Sequence, residues 1–320
     1  GLAAGLAVPE LRAQEPFRSF QITYRGETDV ERGFRDYLTQ RGIPVEIVHR
    51  SAELDPSRVP KILEELREFK PDLVSNWGTP VTLATYGRLG EANPADNITD
   101  VPGVFTMVSA PVRAGVVPDR GSSGRNITGT SHVVPLEPQL RAMEAYRPYE
   151  RLGVLYTPTE QNSTTIVAAM RELAAVQGFE VVERTFPLDA DGRPRAENAG
   201  ELVGELSAEG AEWLYYLPDT FLSQNIDAVA PVATELGLPG FSAVELLRGD
   251  ALVSLVSRYY SLGQLTAYKA EQILLDRVAP QEIPIETLQR FALIINMELA
   301  RKLELYPPLA MLSYANVINQ

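Results

Sequence analysis

The chain has no cysteine, which excludes disulfide bonds, thiolate nucleophiles and cysteine-ligated metal sites. It has two histidines, His49 and His132, so a metal site or a general base would have to be built mainly from carboxylates. Basic residues are scarce as well, because 29 Lys and Arg stand against 42 Asp and Glu, a net charge of -13. A surface this acidic repels phosphate backbones, and we therefore expect no nucleic-acid partner.

Motifs that carry catalysis are also missing. The chain contains no Gly-x-Ser-x-Gly nucleophile elbow, no phosphate-binding Gly-x-x-x-x-Gly-Lys loop, and no Gly-x-Gly-x-x-Gly after its first predicted strand. His49 falls at the end of a strand in a polar context, and we expect His132 to be structural. We predict a protein that is not an enzyme and that holds no cofactor and no metal.

Long hydrophobic runs are absent, since no stretch after the first residues reaches the roughly 18 apolar residues needed to cross a bilayer. Residues 1–14 are rich in Ala and Leu, and the pattern is typical of the end of a secretory signal. We assign residues 1–15 to a signal remnant or an N-terminal extension. The sequence thus predicts a periplasmic protein, either free or held by a lipid anchor.

What the sequence does contain is an alternation of strands and amphipathic helices, twice over. Predicted strands at 20–24, 44–49, 72–77 and 103–108 are separated by helical patterns, and the rhythm restarts with strands at 152–156, 179–184, 213–217 and 240–242. Such alternation indicates parallel sheets covered on both faces. The fold class is therefore α/β with two doubly wound parallel-sheet lobes, and residues 121–126 are a candidate linker between them.

In open parallel sheets, ligands bind beyond the carboxyl ends of the strands, where the two lobes would face one cleft. This rule selects twelve candidate ligand-binding residues: Tyr24, Arg25, Trp77, Thr79, Ser109, Tyr156, Asn162, Ser163, Asp219, Ser242, Glu245 and Tyr259. Aromatic residues at strand ends can hold a flat or cationic ligand or simply pack in the core, and Trp77 is the preferred ligand contact among them.

The polar candidates have competing interpretations. Thr79, before Pro80, begins a helix whose free amides suit an anion, or it is a plain cap; Asn162 and Ser163 are interpreted in the same way. Asp219 suits a ligand ammonium group, whereas Glu245 is a weaker candidate. Arg25 can hold a carboxylate in bidentate fashion, or it can pair with a surface acid nearby.

Short segments spread over most of the chain resemble a known family. They are Lys70-Pro71-Asp72-Leu73-Val74, Gly78-Thr79-Pro80, Asn126-Ile127-Thr128-Gly129, Val134-Pro135-Leu136-Glu137, Gly153-Val154-Leu155-Tyr156-Thr157-Pro158 with Asn162-Ser163, and Tyr259-Tyr260-Ser261-Leu262-Gly263-Gln264. In this order and at these intervals the chain resembles the periplasmic substrate-binding proteins of ABC transporters of the tryptophan/tyrosine type. The resemblance runs from about Phe17 to Leu305.

The resemblance implies the type I periplasmic binding protein fold, whose chain crosses between lobes three times. It places residues 16–130 plus 258–284 in an N-terminal lobe and residues 131–257 plus 285–320 in a C-terminal lobe. It also implies ligand contacts at Thr79, Asn162, Ser163 and Asp219.

Some positions depart from the family pattern. Ser109-Ala110 stands where Thr-Asp is common, Glu245 is shifted along from the usual acidic loop, and Arg258 replaces an acid before the tyrosine pair. Because of these departures, two ligand classes remain as alternatives: an amino acid, and an aromatic or carboxylate-bearing molecule.

The predicted function is an extracytoplasmic solute-binding protein of an ABC importer. It captures a small polar or aromatic ligand, amino-acid-like or carboxylate-bearing, by hinge closure. The expected partners are that ligand and an inner-membrane permease, and the expected state is a monomer. Alternatives are a periplasmic sensor feeding a receptor or a doubly wound enzyme; a repressor effector domain would need a DNA-binding helix-turn-helix for which residues 1–16 are too short.

Overall fold

The structure is a computed structural model that describes residues 15–319. Residues 1–14, for which the sequence predicts the end of a secretory signal, lie outside the described residues. Within the described part of the chain, no helix is both long and apolar enough to span a membrane.

The first unit is built on a five-stranded, fully parallel sheet with the strand order β2-β1-β3-β4-β5. Its elements are β1 (Phe17–Thr23), α1 (Asp29–Gln40), β2 (Val45–Ser51), α2 (Val59–Phe69), β3 (Leu73–Trp77), α3 (Thr79–Tyr86), β4 (Gly103–Thr106) and β5 (Ile127–Gly129). Phe20 and Ile22 of β1 are fully buried on the face covered by α2, whereas Leu73 and Val104 pack on the opposite face, against α1. Burial of both faces explains the nearly continuous apolar runs in these strands.

The second unit has a seven-stranded sheet with the order β12-β11-β10-β9-β8-β6-β7. Its elements are α4 (Leu136–Tyr146), β6 (Arg151–Tyr156), α5 (Gln161–Gln177), β7 (Glu180–Thr185), α6 (Ala199–Ala208), β8 (Trp213–Tyr216), α7 (Thr220–Gln224), α8 (Ala230–Glu235), β9 (Gly240–Ser242), β10 (Val253–Val256), β11 (Ala292–Asn296), α10 (Met297–Lys302), α11 (Leu309–Leu312) and β12 (Asn316–Ile318). Its core centres on aromatic strand residues, among which Tyr215 and Phe241 stack at 5.8 Å.

The remaining helix, α9 (Tyr259–Leu274), follows a strand of the second sheet but packs on the first unit, against α1, β4 and β5. The chain therefore passes between the units three times: after β5, after β10 and before β11. Two of these passages pair with each other, because Thr130 and Glu286 form a parallel bridge. The predicted α/β class with two doubly wound lobes is confirmed.

Two features differ from the expectation. The second sheet is mixed, since β11 runs antiparallel to β10. The chain leaves β10 at the cleft, visits the first unit through α9, and returns at the cleft, so the next strand must run the opposite way. In addition, residues 121–126 do not link the units, because β5 follows them and still pairs with β4 in the first sheet.

Candidate functional site

A cavity of about 500 Å³ lies between the two units at the carboxyl ends of their strands. This volume is in the range of roughly 300–1,000 Å³ that small-molecule sites occupy. Eight of the twelve candidate residues line it: Tyr24, Arg25, Trp77, Thr79, Ser109, Asn162, Asp219 and Tyr259. They come from both units, so a molecule in the cavity would touch both.

Two helices begin at the cavity without a side-chain cap. Gly78 is the N-cap of α3 and Thr79 is its first helical residue, so the helix begins one residue earlier than predicted with Thr79 as the cap. Gly78 adopts φ 91°, a left-handed conformation that favours glycine, and a side chain there would approach Tyr24. In the second unit α5 begins after Glu160, which also makes no side-chain cap to that helix. The first backbone N–H groups of both helices are therefore not capped by side chains of their N-cap residues.

Where the first unit borders the cavity, aromatic side chains form one wall. Trp77 is only 6% exposed and packs with Val30, Met107 and Leu262, while Tyr24 and Tyr259 contact the same cluster. Burial raises the pKa of Tyr259 to about 12, and burial also raises the pKa of Tyr24. Both phenols are therefore uncharged at neutral pH and offer hydroxyl groups beside an aromatic surface.

Arg25 supplies the positive charge of the cavity. Its guanidinium carbon lies 5.1 Å from the centre of the Trp77 ring, a cation–π distance. Glu27 and Asp29, the acids nearest to Arg25 in sequence, pair instead with Arg35 and Arg32. Among residues 15–319, no acid lies within ion-pair distance of Arg25, and its buried Nε has no hydrogen-bond partner. The interpretation of Arg25 as a surface ion-pair residue does not hold.

Asp219 lines the second-unit side but is only 2% exposed. Its carboxylate accepts hydrogen bonds from Thr157 N (2.7 Å), Thr157 Oγ1 (2.9 Å), Ser163 Oγ (2.8 Å) and Leu222 N (2.8 Å). Because it caps α7 and ties this helix to the loop after β6, much of its accepting capacity is used within the protein.

Glu160 is a cavity residue that is not among the twelve candidates. It accepts hydrogen bonds from the backbone N–H groups of Thr220 and Phe221, each at 2.9 Å. Burial and the nearby charge of Asp219 raise the pKa of its carboxyl group, although these two hydrogen bonds oppose the shift. Glu160 and Asp219 thus jointly hold the start of α7.

His132 also lines the cavity, from the segment that follows β5. It is 6% exposed, and its Nδ1 has no hydrogen-bond partner within the described chain. Burial and the positive charge of Arg25 lower its pKa to about 4, so the ring is neutral at pH 7. The sequence predicts a structural histidine, but the residue lines the cavity and its buried Nδ1 is left without a partner.

Two candidates of the second unit do not line the cavity, because their polar atoms are engaged elsewhere. Tyr156 is 8% exposed and its hydroxyl donates to Glu183 on the neighbouring strand at 3.3 Å. Ser163 is fully buried and donates to Asp219. Asn162, by contrast, lines the cavity while its amide donates to the Pro218 carbonyl.

Ser242 and Glu245 also lie outside the lining. Ser242 is fully buried, and its hydroxyl donates to the carbonyl of Val244 at 2.9 Å. Glu245 accepts from Arg258 (2.8 Å) and from the backbone N–H of Tyr259 (2.5 Å). Glu245 and Arg258, the two charged residues that depart from the family pattern, therefore form an ion pair. This pair joins the second unit to the segment that leads into α9.

A profile of the family described as ABC transporter substrate binding protein matches residues 22–318. A curated tyrosine-binding protein of Clostridioides difficile (strain R20291) is 26% identical over 280 residues, which are 86% of this chain and 74% of that protein.

Solved structures show the same fold. A conserved domain protein of Vibrio cholerae O1 biovar El Tor superposes with a TM-score of 0.80 at 23% identity, over 95% of this chain and 100% of that chain. An ABC domain from Streptococcus pneumoniae in complex with L-Trp gives a TM-score of 0.79 at 22% identity, with the same coverage of both chains.

Proposed function

The chain belongs to the family of ABC transporter substrate-binding proteins, and we propose that its inter-unit cavity binds a small ligand that is amino-acid-like or carboxylate-bearing and carries an aromatic group. It is thus a ligand-binding component and not an enzyme. The observation that carries the ligand class is the unpaired Arg25 beside the Trp77 ring in a cavity of about 500 Å³. The names of two relatives agree with this class, since one is a tyrosine-binding protein and another holds L-Trp.

We propose that ligand binding closes the two lobes about a three-segment hinge. The lobes are residues 16–130 plus 258–284 and residues 131–257 plus 285–320. Across the cleft mouth, Gln161 Nε2 of α5 donates to the Arg113 carbonyl at 3.3 Å, a contact that closure would favour. A ligand that touches both lobes stabilises the closed state by the difference in its affinity for the two states.

Members of this family act outside the cytoplasm and deliver their ligand to a transporter permease. We propose that this protein works in the periplasm, free or lipid-anchored, and that the closed monomer docks on an inner-membrane permease. The twelve residues chosen from sequence divide accordingly: the eight that line the cavity are proposed ligand contacts, and Tyr156, Ser163, Ser242 and Glu245 are proposed to support them.

A thermal-shift screen with amino acids, aromatic acids, sugars and nucleosides tests this function, using protein unfolded and refolded beforehand to remove bound ligand. A ligand that binds only the folded state raises the melting temperature at concentrations well above its Kd. We expect L-Trp, L-Tyr or an aromatic acid to raise it by several degrees.

Trp77→Ala should abolish that shift, because the aromatic wall is lost. Tyr314→Ala is the matched control, since Tyr314 is 64% exposed and does not line the cavity. A shift produced only by sugars or nucleosides, or one that survives Trp77→Ala, would reject the proposed ligand class.

A further inference from the structure

Three buried nitrogens of residues that line the cavity lack a hydrogen-bond partner among residues 15–319: Arg25 Nε, Trp77 Nε1 and His132 Nδ1. Buried polar atoms of proteins are almost always hydrogen-bonded, so three such atoms at one site require an explanation. His132 is also more than nine-tenths buried, because only 6% of its surface is exposed. Arg25 Nε is a donor and His132 Nδ1 is a donor in one tautomer, so both of these lining residues carry potential donors.

Arg25 brings a positive charge to the cavity, and no acid of the described chain forms an ion pair with it. Burial lowers the pKa of His132, and the charge of Arg25 lowers it further. The uncapped start of α3 at Gly78 adds backbone N–H groups on the same unit. Donors and positive charge together suit an anionic group with two acceptor oxygens.

The second-unit side is much less suited to a ligand cation. Four donors already occupy the carboxylate of Asp219, and two backbone N–H groups occupy that of Glu160. Burial and the charge of Asp219 also raise the pKa of Glu160, which disfavours its charged form. An ammonium group entering here would compete with the caps of α7.

We propose that Arg25 and His132 bind the carboxylate of an aromatic ligand beside the Trp77 ring, and that the ligand needs no α-amino group. The inference rests on the proposed function and narrows its ligand class to aryl-substituted carboxylates. Aromatic amino acids belong to this class, and so do their desamino analogues. Amines that lack the carboxylate do not.

Titration calorimetry at pH 7.5 with refolded protein and four compounds tests the proposal: L-Trp, indole-3-propionate, tryptamine and 3-(4-hydroxyphenyl)propionate. We expect at least one of the two desamino acids to bind within about tenfold of L-Trp. Tryptamine should bind about 100-fold more weakly, because hydrogen bonds to a charged group are lost with the carboxylate.

Variants then test which residues bind the carboxylate. Arg25→Gln should weaken carboxylate binding by about 10- to 100-fold and leave tryptamine binding unchanged. Arg32→Gln is the matched control, because Arg32 also lies over an aromatic ring, that of Tyr260 at 5.3 Å, but outside the cavity. His132→Leu should weaken carboxylate binding, whereas His132→Asn, which keeps a polar group near the position of Nδ1, should restore most of it. If His132→Leu does not fold, the Arg25→Gln and His132→Asn measurements carry the test.

Tight tryptamine binding, or equal carboxylate affinity in Arg25→Gln and the unmodified protein, would overturn the carboxylate subsite and leave the transport function standing. Absence of binding by all four compounds, together with a hit from another class in the thermal screen, would overturn both this subsite and the proposed ligand class.

Discussion

At the scale of single residues, Asp219 is the clearest case of a binding-site side chain whose main work is structural. Asp219→Ala removes an acceptor from four donors, two of which are backbone N–H groups. Because buried donors left without a partner are costly, we expect the free energy of unfolding to fall by about 2–4 kcal/mol. Urea denaturation followed by circular dichroism measures this change.

Asp227→Ala is the control for that measurement, since Asp227 is an exposed acid of the same unit. It should change stability by less than about 0.5 kcal/mol. Equal stabilities of Asp219→Ala and Asp227→Ala would show that the Asp219 network contributes nothing, and a ligand role would then be the main reason for this acid.

Eight cavity residues are among the candidates chosen from sequence, whereas His132 and Glu160 are not. His132 follows β5, a strand of three residues that has too short a pattern to be recognised, although the motif Asn126-Ile127-Thr128-Gly129 marked its position. Glu160 lies four residues past β6, closer to the strand end than the candidate Asn162, and only the structure shows that its side chain lines the cavity. Tyr156 and Ser242 end their strands but are buried, because alternate residues of a strand face opposite sides and sequence alone does not say which side meets the cleft.

At the scale of elements, the contact between α1 and α9 depends on two glycines. A Cβ at Gly33 would lie 2.0 Å from the Tyr260 carbonyl oxygen, and a Cβ at Gly263 would lie 2.0 Å from that of Val30. These distances explain in physical terms why glycine follows Leu262 in the segment that resembles the family. Only helices without side chains at the crossing can approach this closely.

Gly263→Ala should therefore separate α9 from α1 and lower the free energy of unfolding by about 1–3 kcal/mol, the usual cost of overpacking. Gly204→Ala is the matched helical control, because a Cβ there meets nothing within 4 Å. Alanine at Gly204 should instead raise stability by up to about 1 kcal/mol, since glycine is the poorer helix former. Thermal unfolding of both variants tests this prediction. If both substitutions shift the melting temperature in the same direction, the role of Gly263 in the close approach of α1 and α9 is rejected.

At the scale of the whole molecule, the alternation of strands and helices predicted two parallel-sheet units correctly, because periodicity and burial are written locally in the sequence. The antiparallel direction of β11, by contrast, cannot be predicted from the residues of that strand. It follows from the visit of α9 to the first unit, which only long-range packing such as that at Gly33 and Gly263 fixes. Because α9 packs on the first unit, the chain crosses between the units three times. These three crossings are the segments about which the two units could move relative to each other.

Closure of the two units can be measured through a cysteine pair, because these 320 residues contain no cysteine to compete. Gln161 Nε2 lies 3.3 Å from the Arg113 carbonyl oxygen across the cleft, so Arg113→Cys combined with Gln161→Cys places one thiol on each side, and a short bismaleimide should join them fastest in the closed state. A micromolar ligand corresponds to about 8 kcal/mol of binding free energy, and part of this is enough to shift an open population to closed.

We expect the compound with the largest thermal shift to raise the rate of intramolecular cross-linking severalfold, measured by electrophoresis after timed reaction with the bismaleimide. The two single-cysteine variants are controls, because they can form only intermolecular products. The double variant must still show the thermal shift, since Gln161 lines the cavity. A cross-linking rate that saturating ligand leaves unchanged would mean that the units do not move on binding, and recognition by the permease would then have to depend on the bound ligand itself rather than on a closed shape.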